Sequence, residues 1–118
     1  MKTIKQVVKF STSPVEVYEA LGEKALISPK VGGKFSAYSG YIEGRNLKLE
    51  PGKLIVQEWR GTDWPDGVYS RATFKIKKTK TGSELVFTQS GVPDEQYKSS
   101  SQGWVDYYWK PMEEMFKS

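Results

Sequence analysis

A chain of 118 residues has the length of one domain, 1–118, and can bury about two-thirds of its unfolded surface around a single core. Its charged fraction (27%) and hydrophobic fraction (37%) are those of a globular protein, and the net charge of +4 comes from scattered residues, which excludes wholesale disorder. There is no Cys and no His, which removes disulfide frameworks, thiolate nucleophiles and Cys-based zinc sites together with the usual general base and metal ligand. The acidic residues form no calcium-loop or glycosidase-like cluster. No apolar stretch reaches the roughly 20 residues of a membrane span, and Met1-Lys2-Thr3-Ile4-Lys5 lacks a signal-peptide core, so a cytoplasmic protein is expected. The surplus is aromatic: four Trp, seven Tyr and five Phe, residues that each bring large buried area.

In chain order, Ile4 to Phe10 carries β-branched and aromatic residues and predicts a strand. Ser13, Pro14 and Glu16 supply a cap, a first helical position and a capping box for a short helix with Val15, Val17, Tyr18 and Leu21 on its apolar side. Gly22 interrupts that helix after barely two turns. Strands are predicted at 25–28, 34–39, 41–49, 53–59, 69–77 and 84–89, separated by turn signals at Gly32-Gly33, Ser39-Gly40, Pro51-Gly52, Pro65-Asp66-Gly67 and Thr81-Gly82. Such short connections imply an antiparallel meander. Ala72, Phe74 and Ile76 alternate with Arg71, Thr73, Lys75 and Lys77, so one sheet face is wet and the other needs a cover. Lys75, Lys77, Lys78 and Lys80 form the one dense basic group. It reads as a solvated strand face and is too diffuse for nucleic-acid binding.

The cover is the C-terminal segment. Trp104, Tyr107, Tyr108, Pro111, Met112, Met115 and Phe116 recur at helical spacing. Ser99 with Gln102 offers a capping box, and a helix from Ser99 to Lys117 would run about 28 Å. Pro111 removes a backbone hydrogen bond and should kink it around Tyr107–Tyr108. Pattern alone gives an α+β domain with a helix on one face of an antiparallel sheet.

Individual motifs have plain structural readings. Pro51-Gly52 fits a type II turn, Arg60 and Asp63 fit a surface pair, and Trp64-Pro65 fits a plug for its loop. Trp59 alternates with Ile55 and Gln57 on the inner face of one strand. Gln57 is the odd member, because a buried amide must meet a hydroxyl, a water or a ligand.

Taken in order, Gly32-Gly33-Lys34-Phe35, Leu49-Glu50-Pro51-Gly52-Lys53, Ile55-Val56-Gln57-Glu58-Trp59-Arg60, Asp63-Trp64-Pro65, Gly91-Val92-Pro93 and Gly103-Trp104-Val105-Asp106-Tyr107-Tyr108 resemble the family of activators of the heat shock protein 90 ATPase. The resemblance is to their carboxyl-terminal domain and its stand-alone prokaryotic relatives, over nearly the whole chain. It implies the START-like helix-grip fold, also called birch-pollen-allergen-like: a curved antiparallel sheet around a long C-terminal helix, with a short helix after the first strand. It implies a non-enzymatic protein without a cofactor, with a heat shock protein 90 family chaperone as partner. START-like relatives use the space between sheet and helix for apolar ligands. A small apolar ligand is therefore the alternative partner, with Gln57, Trp59, Phe74 and Phe87 from the sheet and Trp104, Tyr108 and Met112 from the helix as its candidate contacts. A filled aromatic core explains the same residues. The family places a further helical piece after the first helix, and its lack here leads us to expect a segment missing between Leu21 and Gly22.

Overall fold

The computed structural model describes residues 1–24, 34–37, 42–61 and 64–116. Strand β1 spans Lys2–Phe10 and helix α1 Pro14–Lys24; strands β2 to β6 span Lys34–Ala37, Ile42–Glu50, Leu54–Gly61, Ser70–Thr79 and Gly82–Val92. All six strands form one curved antiparallel sheet in the order β1-β6-β5-β4-β3-β2. The meander from β2 to β6 follows from its tight turns. The pairing of β1 with β6 brings the two ends of the sequence pattern together, with Phe10 opposite Ser83 and Gln6 opposite Phe87.

The start of α1 is local chemistry. The Glu16 amide donates to Ser13 Oγ at 3.3 Å, the N-cap bond, while the Glu16 carboxylate accepts from Ser13 Oγ at 3.5 Å rather than from the Ser13 amide that the expected capping box would use. Ser13→Ala should therefore cost about 1 kcal/mol, read as a small drop in the urea midpoint at unchanged slope. The helix does not stop at Gly22. It runs unbroken across Leu21 and Gly22 to Lys24, against the expectation that Gly22 interrupts it. The reason is tertiary cover: Val17, Ala20 and Leu21 are buried in the core, which outweighs the ~1 kcal/mol cost of a helical glycine. The strand expected at 25–28 and the turns at Gly32-Gly33 and Ser39-Gly40 lie outside the described residues.

Pro51-Gly52 makes the expected type II turn, with Gly52 at φ +74° and the Lys53 amide donating to Glu50 O at 2.9 Å. After β6 the chain passes through a 3₁₀ turn, Asp94–Gln96, into helix α2, Tyr97–Trp104. The helix thus begins before the expected cap. Ser99 Oγ donates back to Gln96 O, and Gln102 Nε2 donates to Asp106 Oδ1, so neither forms the capping box read from the sequence.

Between α2 and helix α3, Lys110–Met115, the chain makes a π turn over Val105–Trp109. Its signature is the Lys110 amide donating to Val105 O, five residues back. Pro111 lies just beyond and has no N–H for the carbonyl four residues earlier; the wider turn gives its ring room. The turn also re-phases the helix. Trp104, Tyr108 and Met112 face the sheet as expected, but Trp109 is equally buried and Met115 is 49% exposed. A stripe drawn at a constant helical period includes Met115 and omits Trp109. Phe116 ends half-buried, edge-on to Phe10 with ring centroids 5.9 Å apart.

The described helices lie on one side of the sheet. Their buried residues join a single cluster with the inner-face residues Ile4, Ile55, Phe74, Ile76, Leu85 and Phe87. Among the described residues, no helix is long and apolar enough to cross a membrane.

Candidate functional site

Alternation along β4, β5 and β6 places Gln57, Trp59, Phe74 and Phe87 on the inner face, and the helical segment lays Trp104, Tyr108 and Met112 over them. All seven are buried. Trp104 is the hub: its ring centroid lies 4.4 Å from Phe87, 4.5 Å from Tyr108, 4.9 Å from Trp59 and 5.7 Å from Phe74. The structure therefore brings the predicted candidates together as mutually packed rings. Trp109, absent from the sequence prediction, belongs to the same group, 5.4 Å from Phe87 and 5.8 Å from Trp104.

Two polar chains lock the helical segment to the sheet. Trp104 Nε1 donates to Gln89 Oε1 at 2.7 Å; Gln89 Nε2 donates to Ser70 Oγ at 2.8 Å, and Ser70 Oγ donates to Trp59 O at 2.7 Å. The chain thus crosses from helix to β6, β5 and β4. Nearer the sheet edge, Trp109 Nε1 donates to Gln6 Oε1, and Gln6 Nε2 donates to Ser101 O at 3.0 Å and Ser101 Oγ at 3.1 Å. Satisfying buried polar groups in this way fixes the helix's register as well as its position. Gln6 and Gln89 alternate with apolar neighbours on their strands. That is the same signal that marks Gln57, and it was available in the sequence.

Gln57 stands apart from these chains. Its Nε2 donates to Asn46 Oδ1 at 3.0 Å, but its Oε1 is buried without a partner, as is Trp59 Nε1. Each such atom costs about 1–3 kcal/mol. The two residues point the same way on one strand, about 7 Å apart along it. They place an acceptor and a donor side by side in an aromatic wall.

Arg60 departs from its expected surface role. It is buried, with Nη2 donating to Trp64 O at 2.7 Å and Nε to Val68 O at 3.3 Å, and its guanidinium lies 5.6 Å from the Tyr69 ring centre. It staples the loop in which Trp64 is buried, as the plug reading expects; Asp63 lies outside the described residues. An open cleft of about 280 Å³ sits elsewhere, beside the ends of β1 and α3, lined by Lys9, Phe10, Ser11, Glu113, Glu114 and Phe116. None of the seven predicted residues borders it.

The sequence profile described as activator of Hsp90 ATPase homolog 1-like protein matches residues 11–117. The chain is 34% identical over 116 residues to an activator of 90 kDa heat shock protein ATPase homolog of Dictyostelium discoideum, covering 87% of this chain and 30% of that protein. It is 30% identical over 117 residues to homolog 1 of Homo sapiens, covering 91% and 35%. The chain thus spans about a third of the length of the curated relatives it matches. Among solved structures, the crystal structure of an HSP90 activator from Plasmodium falciparum superposes with a TM-score of 0.87 at 21% identity, covering 98% of this chain and 96% of that one. The solution structure of the Aha1 dimer from Colwellia psychrerythraea gives 0.79 at 18%, covering 98% and 97%. These likenesses establish the shared helix-grip fold. With residues 11–117 matched by its profile, the chain belongs to the activator of Hsp90 ATPase homolog 1-like family.

Proposed function

We propose that this chain is a non-catalytic regulatory domain, working in the cytoplasm, that contacts a heat shock protein 90 chaperone and favours its ATPase-competent state. The observation that carries the reading is family membership over residues 11–117, with curated relatives named for activation of that ATPase. The interior supports a scaffold role: its rings and glutamines are spent on holding helix to sheet. Purified chaperone from the same cell, assayed with rising amounts of this protein, should turn over ATP faster by about fivefold at saturation, the lower end of ordinary coupling energies. Unchanged turnover together with no detectable complex would end this reading.

A second reading has one observation in its favour, the orphan pair at Gln57 and Trp59. An uncharged ligand with a hydroxyl could donate to Gln57 Oε1 and accept from Trp59 Nε1, with its apolar body against the Trp104 wall. Neutrality follows because burying an unpaired ion there would be far costlier than burying a hydroxyl. 1-Naphthol, a neutral fluorescent probe with one hydroxyl, should bind the folded protein, and Met112→Trp should weaken it about tenfold by filling space. Absence of any probe signal from wild type would remove this reading.

A further inference from the structure

Among the described residues, the outer face of the sheet carries no helix, and the strand register maps its side chains into rows. One row runs Val7–Val86–Lys75–Leu54, and the next runs Lys5–Thr88–Thr73–Val56. Uncharged residues thus make up most of both rows, with Lys75 set between Val86 and Leu54 and Lys5 at the end of the second row, and Val7 is 53% exposed. Further cations flank them. Among the described side chains of this face, Glu58 holds Arg45 through contacts of 3.0 and 3.3 Å, Glu50 lies 3.7 Å from Lys48, and Glu84 lies 3.9 Å from Lys77. Lys5, Lys9, Arg71 and Lys75 are exposed and have no acidic partner among the described residues.

We infer that this face is a docking surface for an acidic protein surface, with Val7, Val86, Leu54 and Val56 as its apolar contacts and Lys5, Lys9, Arg71 and Lys75 as its cations. This rests on the chaperone reading above and assigns that contact to the outer sheet face. Apolar side chains mixed with charged ones are ordinary in a transient interface. Four strands at 4.8 Å spacing and nine residues of length give a patch on the order of 600 Å², close to the roughly 800 Å² that each partner contributes to a standard interface. Charge selects the occupant. A second copy docked on this face by a two-fold axis would set lysines against lysines. Nucleic acid would want a run of exposed rings for stacking, and among the described residues beside this patch Tyr69 alone is an exposed ring, already set against the Arg60 guanidinium.

The test compares wild type with Arg71→Glu/Lys75→Glu, with Val7→Asp, and with Lys98→Glu on α2, an exposed cation on the helical side. Complex formation with the intact chaperone is followed by biolayer interferometry at several salt concentrations, and ATP turnover is measured in parallel. The double reversal should weaken binding about tenfold, mainly through slower association, and flatten its salt dependence. Val7→Asp should weaken binding without changing the thermal midpoint, Lys75→Arg should retain it, and Lys98→Glu should leave it unchanged. Wild-type activity that persists in both outer-face variants would overturn the surface while sparing the proposed function. Failure of wild type to bind would remove both. Sedimentation showing a dimer abolished by Val7→Asp would give the face to a second copy, and binding to single-stranded DNA lost in the double reversal without chaperone binding would give it to a polyanion. Either result overturns the inference.

Discussion

Phe87→Ala is expected to lower stability by about 3–5 kcal/mol, a large part of the 5–15 kcal/mol that holds a typical domain together. Phe87 is fully buried in the middle of β6, and its ring touches three others: Trp104 at 4.4 Å, Phe74 at 5.0 Å and Trp109 at 5.4 Å between centroids. Removing it takes away burial and leaves a void. Two of the rings that would have to collapse into that void, those of Trp104 and Trp109, are held in place by hydrogen bonds to Gln89 and Gln6. Restricted collapse puts the cost toward the upper end of the range. Urea denaturation followed by tryptophan fluorescence should show a lower midpoint at unchanged slope. A loss under about 1 kcal/mol would mean that the ring group repacks freely, and the description of a tightly held interior would be wrong.

Gly82→Ala should cost on the order of 3 kcal/mol or more through strain rather than lost burial. Gly82 opens β6 with φ +153°, and a Cβ there would lie 2.1 Å from Phe10 O, 2.8 Å from Thr12 N and 3.0 Å from Ser11 Cα. All three are backbone atoms at the end of β1, where Ser83 Oγ also donates to Thr12 O, so relief requires moving β1 away from β6. Gly52 provides the comparison. Its φ is +74°, but its nearest contact is the Val15 side chain at 3.3 Å, and Gly52→Ala should cost only about 1–2 kcal/mol. Matched thermal melts of the two variants test the difference, and equal losses would show that close approach adds nothing to dihedral strain.

The strands were legible where apolar and polar residues alternate, as at Ala72 to Lys77, because the two-residue period reports directly on a half-buried sheet. Ser13 and Glu16 were legible for a similar reason, since capping is chemistry between near neighbours. The pairing of β1 with β6 was not, because no local signal encodes a contact between residues some eighty positions apart. Trp109 escaped because a constant helical period cannot represent a π turn. Arg60 was misread as a surface partner because its true acceptors are loop carbonyls, which side-chain identities do not announce. Of the interior, membership was readable for seven side chains. The division of Gln6, Gln89 and Gln57 into two satisfied amides and one half-satisfied amide needed three-dimensional geometry.

The π turn at Val105–Trp109 amounts to a one-residue insertion absorbed by the helix. Eight residues separate Trp104 from Met112, yet both side chains are buried against the sheet; in an uninterrupted α-helix a separation of seven would align them more closely. A sequence one residue shorter between these positions could therefore close the turn into regular helix and keep both contacts. Length variation within this helix need not disrupt the grip, and an alignment gap falling inside 105–109 would mark a relaxed helix rather than a different fold.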